Sequence, residues 1–174
     1  MDWKSTIAGA IEYNYGVTEK LMERVEGKDL SWKPATGSNW MTTGQLLHHL
    51  TNACGASIKG FVTGDWGLPE GMNMDDLSPE DMLPPAEKLP AVSSVEEAKQ
   101  LLAADKQVAL EMLAGASEED LTTKITKAPW DPMDFPLGVR MLQMVDHLKQ
   151  HKGQLYYYLK LQDEQVNTGD LWGM

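Results

Sequence analysis

The sequence predicts an all-α protein, a four-helix bundle with one long crossover loop between its second and third helices. Three observations carry this. Four segments repeat apolar residues at three- and four-residue intervals, no run alternates convincingly as a strand, and a proline-rich stretch, 65–92, parts the second segment from the third. A length of 174 residues suits a single domain spanning 1–174, large enough to fold without disulfides or a structural metal.

The first helix is expected from about Ser5 to Glu26, where Ile7, Ile11, Tyr15, Thr18, Leu21, Met22 and Val25 form one stripe and Gly27 supplies a stop. A turn-rich connector, Lys28 to Met41, is punctuated by Pro34, Gly37 and Asn39. Thr42 with Gln45 three residues later has capping-box spacing. It opens a second helix whose inward stripe is Leu46, Leu50, Ala53, Ser57 and Phe61, ending near Gly64. Stretch 65–92 holds Pro69, Pro79, Pro84, Pro85 and Pro90 and reads as the crossover, with one helical turn near Ser78 to Met82. Loops this long either cover a site or link distant helix ends.

Ser94 and Glu97 repeat the capping-box spacing and start the third helix, which runs to about Gly115. Ala116 to Phe135 is a second connector, and Pro136 suits the first position of the fourth helix, which continues to about Gln162. The last twelve residues read as a tail. There is no internal repeat.

Fifteen basic against 26 acidic residues give a net charge of −11, which argues against a phosphate-binding surface and so against nucleic acid as a partner. Cys54 is the only cysteine, so no intrachain disulfide forms. The N-terminus lacks the apolar core of a signal peptide. The longest stretch without formal charge, Pro34 to Ile58, is too polar for a membrane span. These features predict a soluble, cytoplasmic protein with no membrane partner.

The four histidines lie in two short segments, QLLHHLTNA and DHLKQHKGQL. His147 and His151 are spaced i, i+4, which places both imidazoles on one helix face, one turn apart. At 100° per residue, His151 points within roughly 20° of the inward direction set by Met144, Leu148, Leu155 and Gln162, and His147 about 60° to one side. On the second helix His49 falls on the edge of the core stripe and His48 points nearly the opposite way, toward solvent or an oligomer contact. Three inward imidazoles, His49, His147 and His151, form a metal site open on one side, as catalytic zinc sites are. Imidazole suits Zn, Ni, Cu or Fe. Asn52, Asp105 and Gln154 are candidate partners for the free ring nitrogens.

The segment LSWKPATGSNWMTTGQLLHHL resembles the second-helix region of the DinB-like (damage-inducible) family, in which a Pro-Ala connector precedes a helix with a metal-ligating histidine. That position is His49 here. VDHLKQHKGQLYYYLK resembles the family's C-terminal ligand motif and carries His147 and His151. Lys152 stands where arginine is frequent, and Leu148 where many members have glutamate; neither change removes a ligand. The resemblance implies a four-helix bundle, often a homodimer, holding a divalent metal ion, with Zn or Ni expected, on three histidines. The family includes thiol-dependent S-transferases and metal-dependent hydrolases.

The function expected is therefore an enzyme in which the metal activates water or a thiol against a small-molecule substrate. The alternative is a non-catalytic metal-binding or stress-related interaction protein. Cys54 is expected to be a small core residue rather than a nucleophile. The six tryptophans fall near helix ends or in connectors and are expected to cap the bundle ends. Alternatively Trp40, Trp66 or Trp130 walls a pocket beside the metal.

Overall fold

Asp2 opens the first helix, α1 (Trp3–Glu23), by accepting from the Ser5 amide at 2.7 Å. The computed structural model describes residues 2–69, 71–72, 76–162 and 165–174. Two more amides at this end, of Trp3 and Lys4, donate to the Glu118 carboxylate at 3.0 and 2.9 Å. The predicted stripe, from Ile7 to Met22, is the buried face of α1.

The capping box at Thr42 and Gln45 forms and starts α2 (Thr43–Leu50). The continuous second helix expected over 42–64 is instead broken. Backbone at Thr51–Cys54 leaves the helix, and α3 (Gly55–Thr63) begins afresh, ending at Gly64 with φ of 79°. The cause lies fifty residues further along the chain. The Asp105 carboxylate accepts from the amides of Gly55 and Ala56 at 2.9 and 2.8 Å and from the Tyr15 hydroxyl at 2.6 Å. It therefore caps α3 from outside, where an unbroken helix would have no free amides to offer. Gly55 is required at this contact, because a Cβ there would stand 2.0 Å from the Asp105 carbonyl oxygen.

Within 65–92, residues 70 and 73–75 lie outside the described residues. The expected helical turn is α4 (Pro79–Met82), followed by a 3-10 turn, Ala86–Lys88. The end of this stretch is tied to α2: the Gln45 side-chain amide donates to the carbonyls of Ala86 and Leu89, both at 2.8 Å. Ser94 caps α5 (Val95–Gly115) as expected.

The second connector holds structure that the sequence reading missed. A Ser117–Asp120 capping box starts α6 (Glu118–Thr123), and β1 (Ile125–Ala128) pairs antiparallel with β2 (Asp131–Pro136). The expectation of no strands is thereby corrected. Both strands are short and β2 contains two prolines, so neither carries a legible alternation. Pro136 precedes α7 (Leu137–Leu161) as its extended N-cap rather than lying inside it. The expected tail is also corrected. An Asn167–Asp170 capping box folds it into α8 (Thr168–Trp172), which packs on α1; residues 163 and 164 lie outside the described residues.

α1 packs against α5 and α7, and α3 against the same two, with α2 also on α7. Ile7, Leu46, Leu50, Ile58, Leu148 and Leu155 are among the fully buried residues between them. No helix among the described residues is long and apolar enough to cross a membrane.

Candidate metal centre

His147 and His151 project from adjacent turns of α7, and His49 from the last turn of α2, which packs on α7. The structure brings these three together: one ring nitrogen from each lies within 4.8 Å of the others, and no other such group of three occurs among the described residues. His49 Nε2 is 3.3 Å from His147 Nε2, which is 3.1 Å from His151 Nε2. His48 is not part of the group.

The outward nitrogens settle which way the rings are protonated. His147 Nδ1 lies 3.0 Å from the Ala53 carbonyl oxygen, which can only accept, so Nδ1 carries the hydrogen. His151 Nδ1 lies 2.9 Å from Gln154 Oε1. Gln154 is oriented in turn by Tyr158, whose hydroxyl donates to the Met41 carbonyl at 2.9 Å and accepts from Gln154 Nε2 at 3.4 Å. The oxygen of Gln154 must then face His151, whose Nδ1 also donates. In the neutral rings both Nε2 atoms carry lone pairs, and these face one another across 3.1 Å. Like lone pairs at that distance repel unless a cation lies between them, so the donor set fits a metal ion.

Electrostatics favours the same state. Burial, reinforced by the imidazoles of His151, His147 and His48, lowers His49 to about 3. Burial also lowers His151, partly opposed by its bond to Gln154. Neutral imidazole is the ligating form.

Of the expected ring partners, Gln154 takes that role. Asp105 does not, being committed to Tyr15 and α3. Asn52 lines the adjoining cavity instead. The Ala53 carbonyl was missed, since a backbone acceptor has no sequence signature; it is available because the helix breaks there. Cys54 is fully buried and its thiol is pushed up to about 12, chiefly by burial, so it remains protonated at neutral pH.

A cavity of about 350 Å³ adjoins His49 and His147. Its other walls are Asn52, Ser57, Met82, Leu83, Trp130 and Met144. The long stretch after α3 therefore contributes to the site through Met82 and Leu83, and Trp130 enters from the turn between β1 and β2. Trp66 stands behind Trp130 at 5.7 Å between ring centroids, whereas Trp40 packs on Tyr158 at 6.3 Å. A cavity of about 390 Å³ beneath α8 is no smaller but has no histidine.

The family model of the DinB superfamily matches residues 10–155, a span that includes all three histidines. No curated protein and no solved structure matches the chain. The chain belongs to the DinB superfamily.

Proposed function

We propose that this member of the DinB superfamily is a metal-dependent enzyme in which His49, His147 and His151 hold a divalent ion, Zn or Ni, through their Nε2 atoms. The observation that carries the reading is the convergence of three Nε2 atoms while the Nδ1 atoms of His147 and His151 are tied outward, to Ala53 and to Gln154. Such an ion supplies Lewis acidity, lowering the pKa of a water or thiol enough to give a nucleophile near neutral pH. The protein's residues orient the imidazoles and keep His49 and His151 neutral, and the adjoining cavity receives the substrate. Among the described residues that line it there is no Asp or Glu to serve as general base. That supports chemistry in which the metal itself acidifies the nucleophile, as in thiol transfer or hydrolysis.

The packing of α1, α3, α5 and α7 supports a four-helix bundle, with 65–92 as the crossover that reaches over the cavity. Elemental analysis of protein purified without chelators, beside His147→Ala and His151→Ala, tests the reading. One equivalent of Zn or Ni is expected, and its loss from both variants. Wild-type protein devoid of divalent metal overturns the reading. Bound metal without turnover on a panel of thiols, electrophiles and esters would favour a non-catalytic metal-binding protein.

A further inference from the structure

We propose that the cavity beside the three histidines receives an uncharged aromatic group, and that Trp130 is the residue that selects it. The proposal names the substrate class of the site above and rests on that reading for its chemistry, though not for its binding.

The walls decide the class. Trp130, Met82, Leu83 and Met144 are apolar, and Asn52 and Ser57 are neutral. No Lys, Arg, Asp or Glu lines the cavity among the described residues. Away from the metal ion, a carboxylate, sulfonate or phosphate seated against these walls would give up its hydration without meeting a cationic side chain, and the net charge of −11 adds to that cost. An uncharged ring loses little on leaving water and gains contact with an indole and two thioethers, which pack well on aromatic faces.

One candidate anion anchor on α7 is already committed. Arg140, one turn before Met144, is buried, with Nη1 donating to Asp131 at 2.8 Å and to Gln143 at 3.0 Å. Its other terminal nitrogen donates to the Met133 carbonyl, and its guanidinium stands 4.7 Å over the Phe135 ring. These contacts clamp β2 at three points and so fix the hairpin turn that carries Trp130.

Trp130 is further held by an edge-to-face trio. Its centroid lies 5.7 Å from Trp66 and 6.1 Å from Phe61, which are 5.0 Å apart. Gly60 makes room for this trio, since a Cβ there would come within 2.2 Å of the Trp66 ring. Even so, Trp130 keeps 42% of its surface exposed. A wall that is fixed from behind and open in front is arranged for a ligand rather than for the core.

The test compares 1-naphthol with 1-naphthalenesulfonate, the same ring system without and with a charge, on full-length protein. Binding is followed by the ¹³C-methyl resonances of Met82 and Met144, assigned through Met82→Leu and Met144→Leu. Naphthol is expected to shift both methyls, and the sulfonate to bind at least about ten-fold more weakly. Trp130→Ala should weaken naphthol about ten-fold and Trp130→Phe only about three-fold, with calorimetric Zn²⁺ affinity unchanged in both. Equal binding of the sulfonate, an unaltered affinity in Trp130→Ala, or shifts that bypass Met82 and Met144 would overturn the proposal. Wild-type protein that binds naphthol but no Zn²⁺ defeats the metal reading alone; the converse defeats this one alone.

Discussion

Two clusters of polar groups interrupt the apolar interior, a buried one around Asp105 and a half-buried one around His147, and they are completed in opposite ways. Asp105 accepts three hydrogen bonds, from the Tyr15 hydroxyl and the amides of Gly55 and Ala56, and its donors are satisfied by it. At the histidines only the outward nitrogens are paired, and the inward ones face one another. A polar cluster that holds a fold closes its hydrogen bonds on itself; one that binds leaves lone pairs convergent. The clusters also share a boundary. The break at Thr51–Cys54 gives Asp105 its free amides on one side and gives His147 the Ala53 carbonyl on the other.

The comparison is most easily broken at Asp105. Asp105→Ala takes the carboxylate acceptor from the Tyr15 hydroxyl and the amides of Gly55 and Ala56, the first two of them buried, and should cost about 3 kcal/mol in urea unfolding. Because it loosens the start of α3, the same variant should also bind Zn²⁺ more weakly. A cost below about 1 kcal/mol would mean that the cluster is not structural. His147→Ala should do the reverse. Its Zn²⁺ affinity should fall by more than about 100-fold in calorimetry, beyond what loss of an orienting partner causes, while metal-free stability stays within about 1 kcal/mol of wild type.

Acid should separate the clusters by sign. His49 titrates near 3 in the folded protein against an ordinary value of 6.5. Its contribution is thus complete above pH 6.5 and is lost as pH falls toward 3, by about 2 kcal/mol at pH 5 in metal-free protein. Asp105 is raised above its ordinary 3.8, chiefly by burial, so its titration favours the fold at low pH and disfavours it as pH rises through the folded value. Unfolding measured from pH 7.5 to 5 should therefore show a decline that His49→Gln reduces, the remainder coming from His151, which burial also lowers; an unchanged slope in that variant would contradict the assignment. The smallest effect is expected at Gln154→Leu, which frees His151 Nδ1. It should lower Zn²⁺ affinity about ten-fold and leave stability nearly unchanged.

What the sequence disclosed follows the same division. The facing of His147 and His151 was legible because α7 is one uninterrupted helix of 25 residues, over which 100° per residue holds. His49 was legible because α2 is regular up to that turn. The break that begins two residues later was not, since it depends on Asp105, remote in sequence, and Gly55 alone is an ambiguous sign. The hairpin was hidden by strands of four and six residues with two prolines in the second. Trp130 could be named as a possible wall, but only the hairpin chooses it over Trp40. In α8 the signal is present, in Asn167 and Asp170, but a helix of five residues is too short to carry a periodicity that would support it.

Their hold comes from the neighbours. Lys152, only 4% exposed, donates to the Leu171 carbonyl at 3.0 Å, and Tyr13 to that of Trp172 at 2.9 Å. A family alignment can examine what this implies. Residue 152 and the final helical turn should covary: relatives whose chains stop short of that turn are expected to place an uncharged side chain at this position, or to supply the missing acceptor from elsewhere, because a buried ammonium left without one is costly.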